Sequence, residues 1–596
     1  MNRFLSILTR FFSILTLALV GMAITASGQT SGAGSHADGT LRVGLWTLWH
    51  DKALTAAPAS SASATIRSCE SCAARVFSHP IQIKAASGKV IAGDADPAAS
   101  VWLGGALQLS AHGETVMLHN PVRVSARSGE LVLAVTLPVE SYVERVVASE
   151  SGAADGPESL KALAIVVRSF ALHQAHGHAD YDLCDSTHCQ LLHWNGASDR
   201  RAAAHSATLS TAGETLWFHG QRAAAWFHQN CGGRTAGPAE VWPGKSANAA
   251  TAMPWLVSRA DPYCTAHGAR EWSATISLAD LTAALSAAGV ARPGWKTLTV
   301  ARRGESGRAA TLLVGSTRIS AEDFRIAVGR AMGWGKILST WFEVSRLDSA
   351  QGTQFAFHGR GSGHGVGLCQ AGAAAMSAQG HDAGQILAQF FPGATVADEA
   401  SGTAWQSMRA QAFNLETLDA SDGQLLPQLS QALGEAESRS GLQPAGTITL
   451  RSFRSTEAFR QATLAPGWVA AFTEGNWIGA QPLRTLASRK LLAPVMRHEF
   501  LHALVESQAA PGTPLWLREG LVEAWAGDPV AKQPAPRLKL DQADRALAGA
   551  DNEAQSKAAH DAAAFYAQRL LDRFGRGQVL AWLRNGLPAS ALAAIQ

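Results

Sequence analysis

Residues 494–526 hold side chains whose types and spacing could bind and use a metal. His498 and His502 are four positions apart, so on a helix both imidazoles leave the same face one turn apart and can grip one zinc ion. Glu499 sits beside them, where a carboxylate can deprotonate a zinc-bound water. A catalytic zinc keeps three protein ligands and one open position. Glu519 supplies the third if the next helix, capped by Thr513 with Pro514 in its first turn, folds back as a hairpin. Glu506 and Glu523 lie on the same two helices as alternative ligands. His560 and Tyr566 are candidates to stabilise a tetrahedral intermediate, beside the reading of both as ordinary helix-surface residues.

A second cluster comprises His178, Cys184, His188 and Cys189. Two thiolates and two imidazoles in so short a segment make a closed tetrahedral zinc site, structural because no position stays open. A Cys184–Cys189 disulfide is the rival in an oxidising compartment. Cys69 and Cys72 fit a redox pair, a disulfide or half a metal site. With seven cysteines in all, at least one is free or bound to something else.

A third candidate is a lone carboxylate, Glu150, at the break between two helices, where a side chain can project while its backbone is held on both sides. Lys161 and Arg168 follow on the next helix, seven apart and so on one face. They could bind sugar hydroxyls or carboxylates, or be solvated helix charges. Glycine occupies every odd position from Gly359 to Gly367. That period of two predicts a strand with one bare face and Arg360, Ser362, His364 and Val366 on the other. His364 is then a substrate-binding or structural candidate. No Gly-x-Gly-x-x-Gly register fits, which excludes a dinucleotide fingerprint.

These residues need elements to position them. From Leu41 to Leu137 short apolar/polar alternations such as Ile81-Gln82-Ile83 and Leu131-Val132-Leu133, separated by Gly, Pro and Asn, predict strands. At Pro138 the period changes to helical: Val139, Tyr142, Val143, Val146 and Val147 share a face. A second helix follows, with Asp155 as N-cap, Pro157 in its first turn, a stripe of Leu160, Leu163, Val167 and Phe170, and Gly177 as its stop. Periodicity lapses over residues 397–406, after which a strand over Thr447–Leu450 and several helices are expected. The fold class is α+β, a mixed strand/helix domain (41–396) and a linker (397–406) preceding a mainly helical domain (407–596).

Met1 to Ala26 has a basic start (Arg3, Arg10), an apolar run from Phe11 to Ile24 and a small-residue exit, which reads as a secretory signal within 1–28, followed by a Ser/Gly linker over 29–40. The run is shorter than the roughly 20 residues that span a bilayer. The expected location is outside the inner membrane, periplasmic, extracellular or at the cell wall, with no stable membrane span once the signal is removed. The chain is 47% hydrophobic and 16% charged, which excludes global disorder. Its net charge of +3 supplies no basic field for nucleic acid.

Two resemblances sharpen these readings. Leu137–Glu150 with Glu158–Leu172, then Phe227–Thr235, Asp261–Tyr263, Gly359–Ala373 and Phe390–Gly393, resemble in order the signatures of the stage II sporulation protein D and amidase-enhancer (LytB, SpoIID/LytB) family. The resemblance implies a lytic transglycosylase acting on peptidoglycan glycan strands stripped of stem peptides, with Glu150 as acid and then base. Members often have Met-Pro after this Glu, where this chain has Ser151-Gly152. Some members bind zinc through a His/Cys set similar to His178, Cys184, His188 and Cys189. Residues 498–520, with Trp516-Leu517 before Glu519-Gly520, resemble the peptidase MA-like branch of the gluzincins. That implies zinc on His498, His502 and Glu519 with Glu499 as general base. The alternative function is a non-catalytic wall-binding module that stimulates other wall hydrolases such as amidases, joined to an active or inactive peptidase-like domain.

Overall fold

The computed structural model describes residues 39–59, 63–173, 178–195, 198–243, 253–266, 270–350, 352–410, 412–527, 538–549 and 553–595. The signal segment 1–28, nearly all of the 29–40 linker and Gly177 lie outside the described residues.

Residues 40–138 form two antiparallel sheets. Six strands run in the order Thr40–Leu45, Glu130–Pro138, Val122–Arg127, Ser100–Gly105, Ala64–Arg67, Arg75–Phe77. Five run Lys89–Ala92, Ile81–Ala86, Ala53–Pro58, Leu107–Ala111, Glu114–Leu118. Leu41, Val43, Val124 and Leu133 of the first share one core with Leu54, Ile83, Leu107 and Leu109 of the second. Each such burial is worth about 1.5–3 kcal/mol, so this layer is a firm base for the helix it launches.

That helix, α1 (Val139–Glu150), leaves the last strand directly and buries the whole expected stripe of Val139, Tyr142, Val143, Val146 and Val147. The next, α2, spans Pro157–His173. Asp155 does not cap it. Its carboxylate instead accepts from the Gly152 N–H at 2.6 Å and the Ser159 hydroxyl at 3.4 Å, closing the turn between the two helices. A third helix, α3 (Ser198–Ser210), packs on both.

Residues 271–360 build a lobe with its own core. One sheet joins Glu271–Ser277, Gly352–Arg360 and Phe342–Ser349, another joins Leu298–Arg303, Ala309–Val314 and Thr317–Ser320, and two helices (Leu278–Ala287, Ala321–Met332) complete it. The glycine run that follows corrects the expectation of a strand. Gly361, Gly363, Gly365 and Gly367 all have φ between +76° and +93°, so the chain coils between Asn230 and Ser339 rather than extending. A Cβ at Gly367 would lie 2.1 Å from the Trp226 carbonyl oxygen.

Residues 406–595 contain more strand than their periodicity suggests. A five-stranded mixed sheet runs Gln406–Arg409, Phe413–Thr417, Ile448–Ser452, Trp477–Ala480, Ala471–Glu474, with its central three strands parallel. Each strand has four or five residues, too few for alternation to register against noise. The chain is therefore α+β in both regions.

The segment expected to be a linker is held at both ends. Thr395–Asp398 pairs with Glu214–Phe218, and the Asp398 carboxylate accepts from the Ser401 N–H and hydroxyl at 2.8 Å. Leu209 and Ala212 share an apolar cluster with Phe453, Phe459 and Trp477. Arg451, 3% exposed, donates to Glu214 at 2.6 Å and to the Ala212 carbonyl at 3.1 Å. No helix among the described residues is long and apolar enough to cross a membrane.

Candidate functional sites

Glu150 ends α1, and four contacts from distant chain fix it there. The loop Tyr181–Trp194 is tied to the first strand by Asp182, which pairs with Arg42 at 2.8 Å, and by Asp185, which accepts from the Trp46 N–H at 2.6 Å and the Trp194 indole at 2.9 Å. The same loop then runs along the end of α1. Tyr142 donates its hydroxyl to Gln190 at 2.9 Å, His193 N–H donates to Ser149 at 2.9 Å, and Leu191 N–H donates to the Glu150 carboxylate at 3.1 Å. From the other side the Gln370 amide donates to the Glu150 main-chain carbonyl at 3.0 Å. Burial pushes the Glu150 carboxyl up to about 7, against the Leu191 N–H, which favours the charged form.

His178, Cys184, His188 and Cys189 lie in or just before that loop. One ligand atom from each lies within 4.8 Å of all the others. Cys184 and Cys189 are free thiols, and Cys184 is buried. Leu191, the donor to Glu150, is two residues from Cys189, so whatever fixes the cluster also fixes that donor. Cys69 and Cys72 form a disulfide and so are not half of a metal site.

Two sites on α2 separate. Lys161 stays half-exposed and donates to Glu158 at 2.8 Å. Arg168 is a correction to the expected substrate contact: it is 0% exposed, forks onto Glu140 at 2.9 and 2.5 Å, and donates to the Glu214 carbonyl at 3.0 Å. It is a buried ion pair joining α1, α2 and the strand that begins at Glu214. Seven-residue spacing places Lys161 and Arg168 on one face of the helix, but Arg168 lies where α1 covers that face. His364 is half-buried in the glycine-rich loop. Its Nδ1 accepts from Val366 N–H at 3.1 Å, its ring lies 5.7 Å from His228 and 5.4 Å from Trp242, and burial lowers its pKa to about 4.

In the C-terminal region, His498, Glu499 and His502 lie on the helix Leu492–Glu506 and Glu519 on Leu515–Ala526. The hairpin brings them together: His502 Nε2 is 3.1 Å from His498 Nε2 and 3.5 Å from Glu519. Thr513 is not the cap, since it donates to the Ala510 carbonyl. The helix N-terminus is met instead by Asp544, which accepts from Trp516 N–H at 2.9 Å. Burial lowers the pKa of both imidazoles, that of His502 to about 4, and raises that of the Glu519 carboxyl. Glu499 is 7% exposed and accepts from the Thr473 hydroxyl at 2.6 Å, an aiming contact with no local sequence signal.

Of the alternative ligands, Glu506 pairs with Arg518 at 2.5 Å, while Glu523 pairs with His560 at 3.0 Å and still acts electrostatically on both imidazoles. His560 is also 3.7 Å from Glu519, whereas Tyr566 donates to the Leu538 carbonyl at 3.3 Å.

Comparison with known proteins bears on the N-terminal part. Residues 127–218 match the stage II sporulation protein family, and residues 263–367 match a domain family of unknown function, DUF8618. An uncharacterized protein of Brachyspira hyodysenteriae is 26% identical over 265 residues, 44% of this chain and 67% of the relative. Stage II sporulation protein D of Bacillus subtilis is 25% identical over 278 residues, 44% and 75% of the two chains. Its counterpart in Bacillus amyloliquefaciens is 24% identical over 301 residues, 48% and 81%. The DUF8618 match coincides closely with the lobe 271–360.

Proposed function

We propose that this protein is an exported lytic transglycosylase that cuts peptidoglycan glycan strands lacking stem peptides, and that it carries a second, zinc-dependent peptidase centre. The observation that carries the first assignment is Glu150: a single carboxyl, raised to about 7 by burial and held at a helix end by Leu191 and Gln370. Near neutral pH such a group is available both protonated and ionised, which one residue needs to act as acid and then base. As acid it gives its proton to the leaving glycosidic oxygen while the bond to C1 breaks. As carboxylate it takes the proton of the sugar's own 6-hydroxyl, whose oxygen closes on C1. The residue is restored, no water enters and a 1,6-anhydro end results. Lys161 and His364 remain candidates for glycan contact, and Arg168 does not.

Purified protein incubated with peptide-free glycan strands should release products with 1,6-anhydro ends, read by mass spectrometry. Glycan binding without such ends, combined with stimulation of a wall amidase, would replace this reading with the non-catalytic one.

For the peptidase centre, the donor types are those of a zinc site, and His502 Nε2 lies within 3.5 Å of both other candidate ligands. Glu519 Oε2 is buried without a hydrogen-bond partner, and two imidazole Nε2 atoms face each other at 3.1 Å. His498, His502 and Glu519 would hold the metal, which when bound would acidify a water and polarise a peptide carbonyl. Glu499, aimed by Thr473, would take the proton, and His560, whose pKa its partner Glu523 raises, lies beside Glu519.

A further inference from the structure

Asp261, Cys231, Cys264 and Cys369 come from motifs that neither centre uses. Cys231 follows the short strand Phe227–His228, Asp261 precedes the helical turn Pro262–Ala266 and Cys264 lies within it, and Cys369 ends the strand Leu368–Cys369 and caps the helix Gln370–Ala378. The two strands pair in parallel. One ligand atom from each of the four residues lies within 4.8 Å of all the others, and none of the residues is more than 2% exposed. Zinc–sulfur bonds of about 2.3 Å set tetrahedron edges of about 3.8 Å, which this grouping accommodates.

Main-chain donors converge on the sulfurs. Gly233 N–H points at Cys231 Sγ (3.3 Å), while Cys231 N–H and Gly372 N–H point at Cys369 Sγ (3.2 and 3.4 Å). Such donors favour thiolates over thiols. Asp261 accepts from Cys264 N–H at 3.0 Å and lies 3.2 Å from Cys231 Sγ. Gly372 is required beside it, since a Cβ there would lie 2.3 Å from the carboxylate.

A disulfide would join two of the sulfurs and leave a third thiol with a fully buried carboxylate still uncompensated, which is costly. A divalent cation takes up all four side chains at once and neutralises two of the four negative charges of three thiolates and a carboxylate, with buried Arg308, which donates to the Cys231 carbonyl at 2.8 Å, as a further positive charge nearby.

We propose that Cys231, Cys264, Cys369 and Asp261 form a closed, four-coordinate structural zinc site. Each ligating thiol releases its proton to solvent, so no oxidant takes part. The site pins three segments of chain together and fixes the start of the helix whose first residue, Gln370, holds the Glu150 carbonyl. It accounts for the last three cysteines: one pair is a disulfide and another pair lies with His178 and His188.

The test uses the purified full chain without reductant. In the native protein, Cys231, Cys264 and Cys369 should resist iodoacetamide, and all three should be alkylated after unfolding with a chelator, as read by peptide mass spectrometry. Cys264→Ser and Cys369→Ser should each lower bound zinc by about one ion per chain, independently of any loss caused by Cys184→Ser. A disulfide-linked peptide between any two of the three in the wild-type protein overturns the proposal. So does a zinc content unchanged in both variants. The wild-type alkylation result stands even if the variants fail to fold.

Discussion

The side-chain amide of Gln370 reaches the main-chain carbonyl of Glu150 across 3.0 Å and 220 positions of chain. The contact falls on the backbone of the candidate acid rather than on its carboxyl, so it sets where α1 ends and hence where the carboxyl aims. Gln370→Ala should therefore slow glycan cleavage by about ten- to a hundredfold with little loss of glycan binding. The check is the rate of 1,6-anhydro end formation beside a binding isotherm on the same strands.

Glu150→Gln removes the transferable proton and almost no volume. Cleavage should cease while glycan binding persists; cleavage at the wild-type rate would refute the assignment.

The same variant should show a pH-dependent stability change. A carboxyl raised from its ordinary value to about 7 favours folding fully below the unfolded pKa, and that contribution is lost as pH rises through about 7. At pH 8 the wild type therefore holds an ionised, buried carboxylate that Gln lacks. Thermal melts should place Glu150→Gln above wild type at pH 8 and level with it near pH 4; the opposite order would mean that the carboxylate is stabilised in place.

Cys184→Ser with Cys189→Ser should lower both zinc content and thermal stability. Because Leu191 follows Cys189 by two residues and donates to Glu150, cleavage should fall in parallel, with glycan affinity less affected. Unchanged metal with altered migration on a non-reducing gel would favour a disulfide at this pair.

At the C-terminal centre, Glu499→Gln should keep its zinc and lose peptidase activity, since Glu499 bonds to Thr473 and is not a ligand. His498→Ala and Glu519→Ala should lose metal and activity together, with weak binding left in Glu519→Ala through the remaining His pair. Metal analysis on the full chain decides this. A fragment cut near 405 would strip Arg451 of Glu214 and split an apolar cluster.

His205 bridges the two regions, 2.9 Å from Glu144 and 2.9 Å from Glu474, and these carboxylates raise its pKa to about 10. Its contribution is complete below its ordinary pKa and disappears as pH rises through about 10. His205→Ala should thus lower the melting temperature at pH 6 and have a much smaller effect above pH 10. An effect independent of pH would point to packing rather than charge.

What the sequence alone determined is what local spacing controls. The stripe of α1, the pairing of His498 with His502 on one helix face and the return of Glu519 on the next helix all follow from a 3.6-residue period and a short connection. Glu150 was legible as a carboxylate at a helix break for the same reason.

Burial and grouping were decided by the tertiary structure, because both depend on residues far away in the chain. Arg168 has the spacing of a surface cation, yet Glu140 and Glu214 enclose it. The alternate glycines have the period of a strand, but from Gly361 to Gly367 they take positive φ and run so close to Trp226, His228 and Asn230 that a Cβ would clash. Cys231, Cys264 and Cys369 share no local pattern. They meet only because a parallel strand pair and a helical turn converge, and a ligand set assembled across such separations leaves no periodic trace in the sequence.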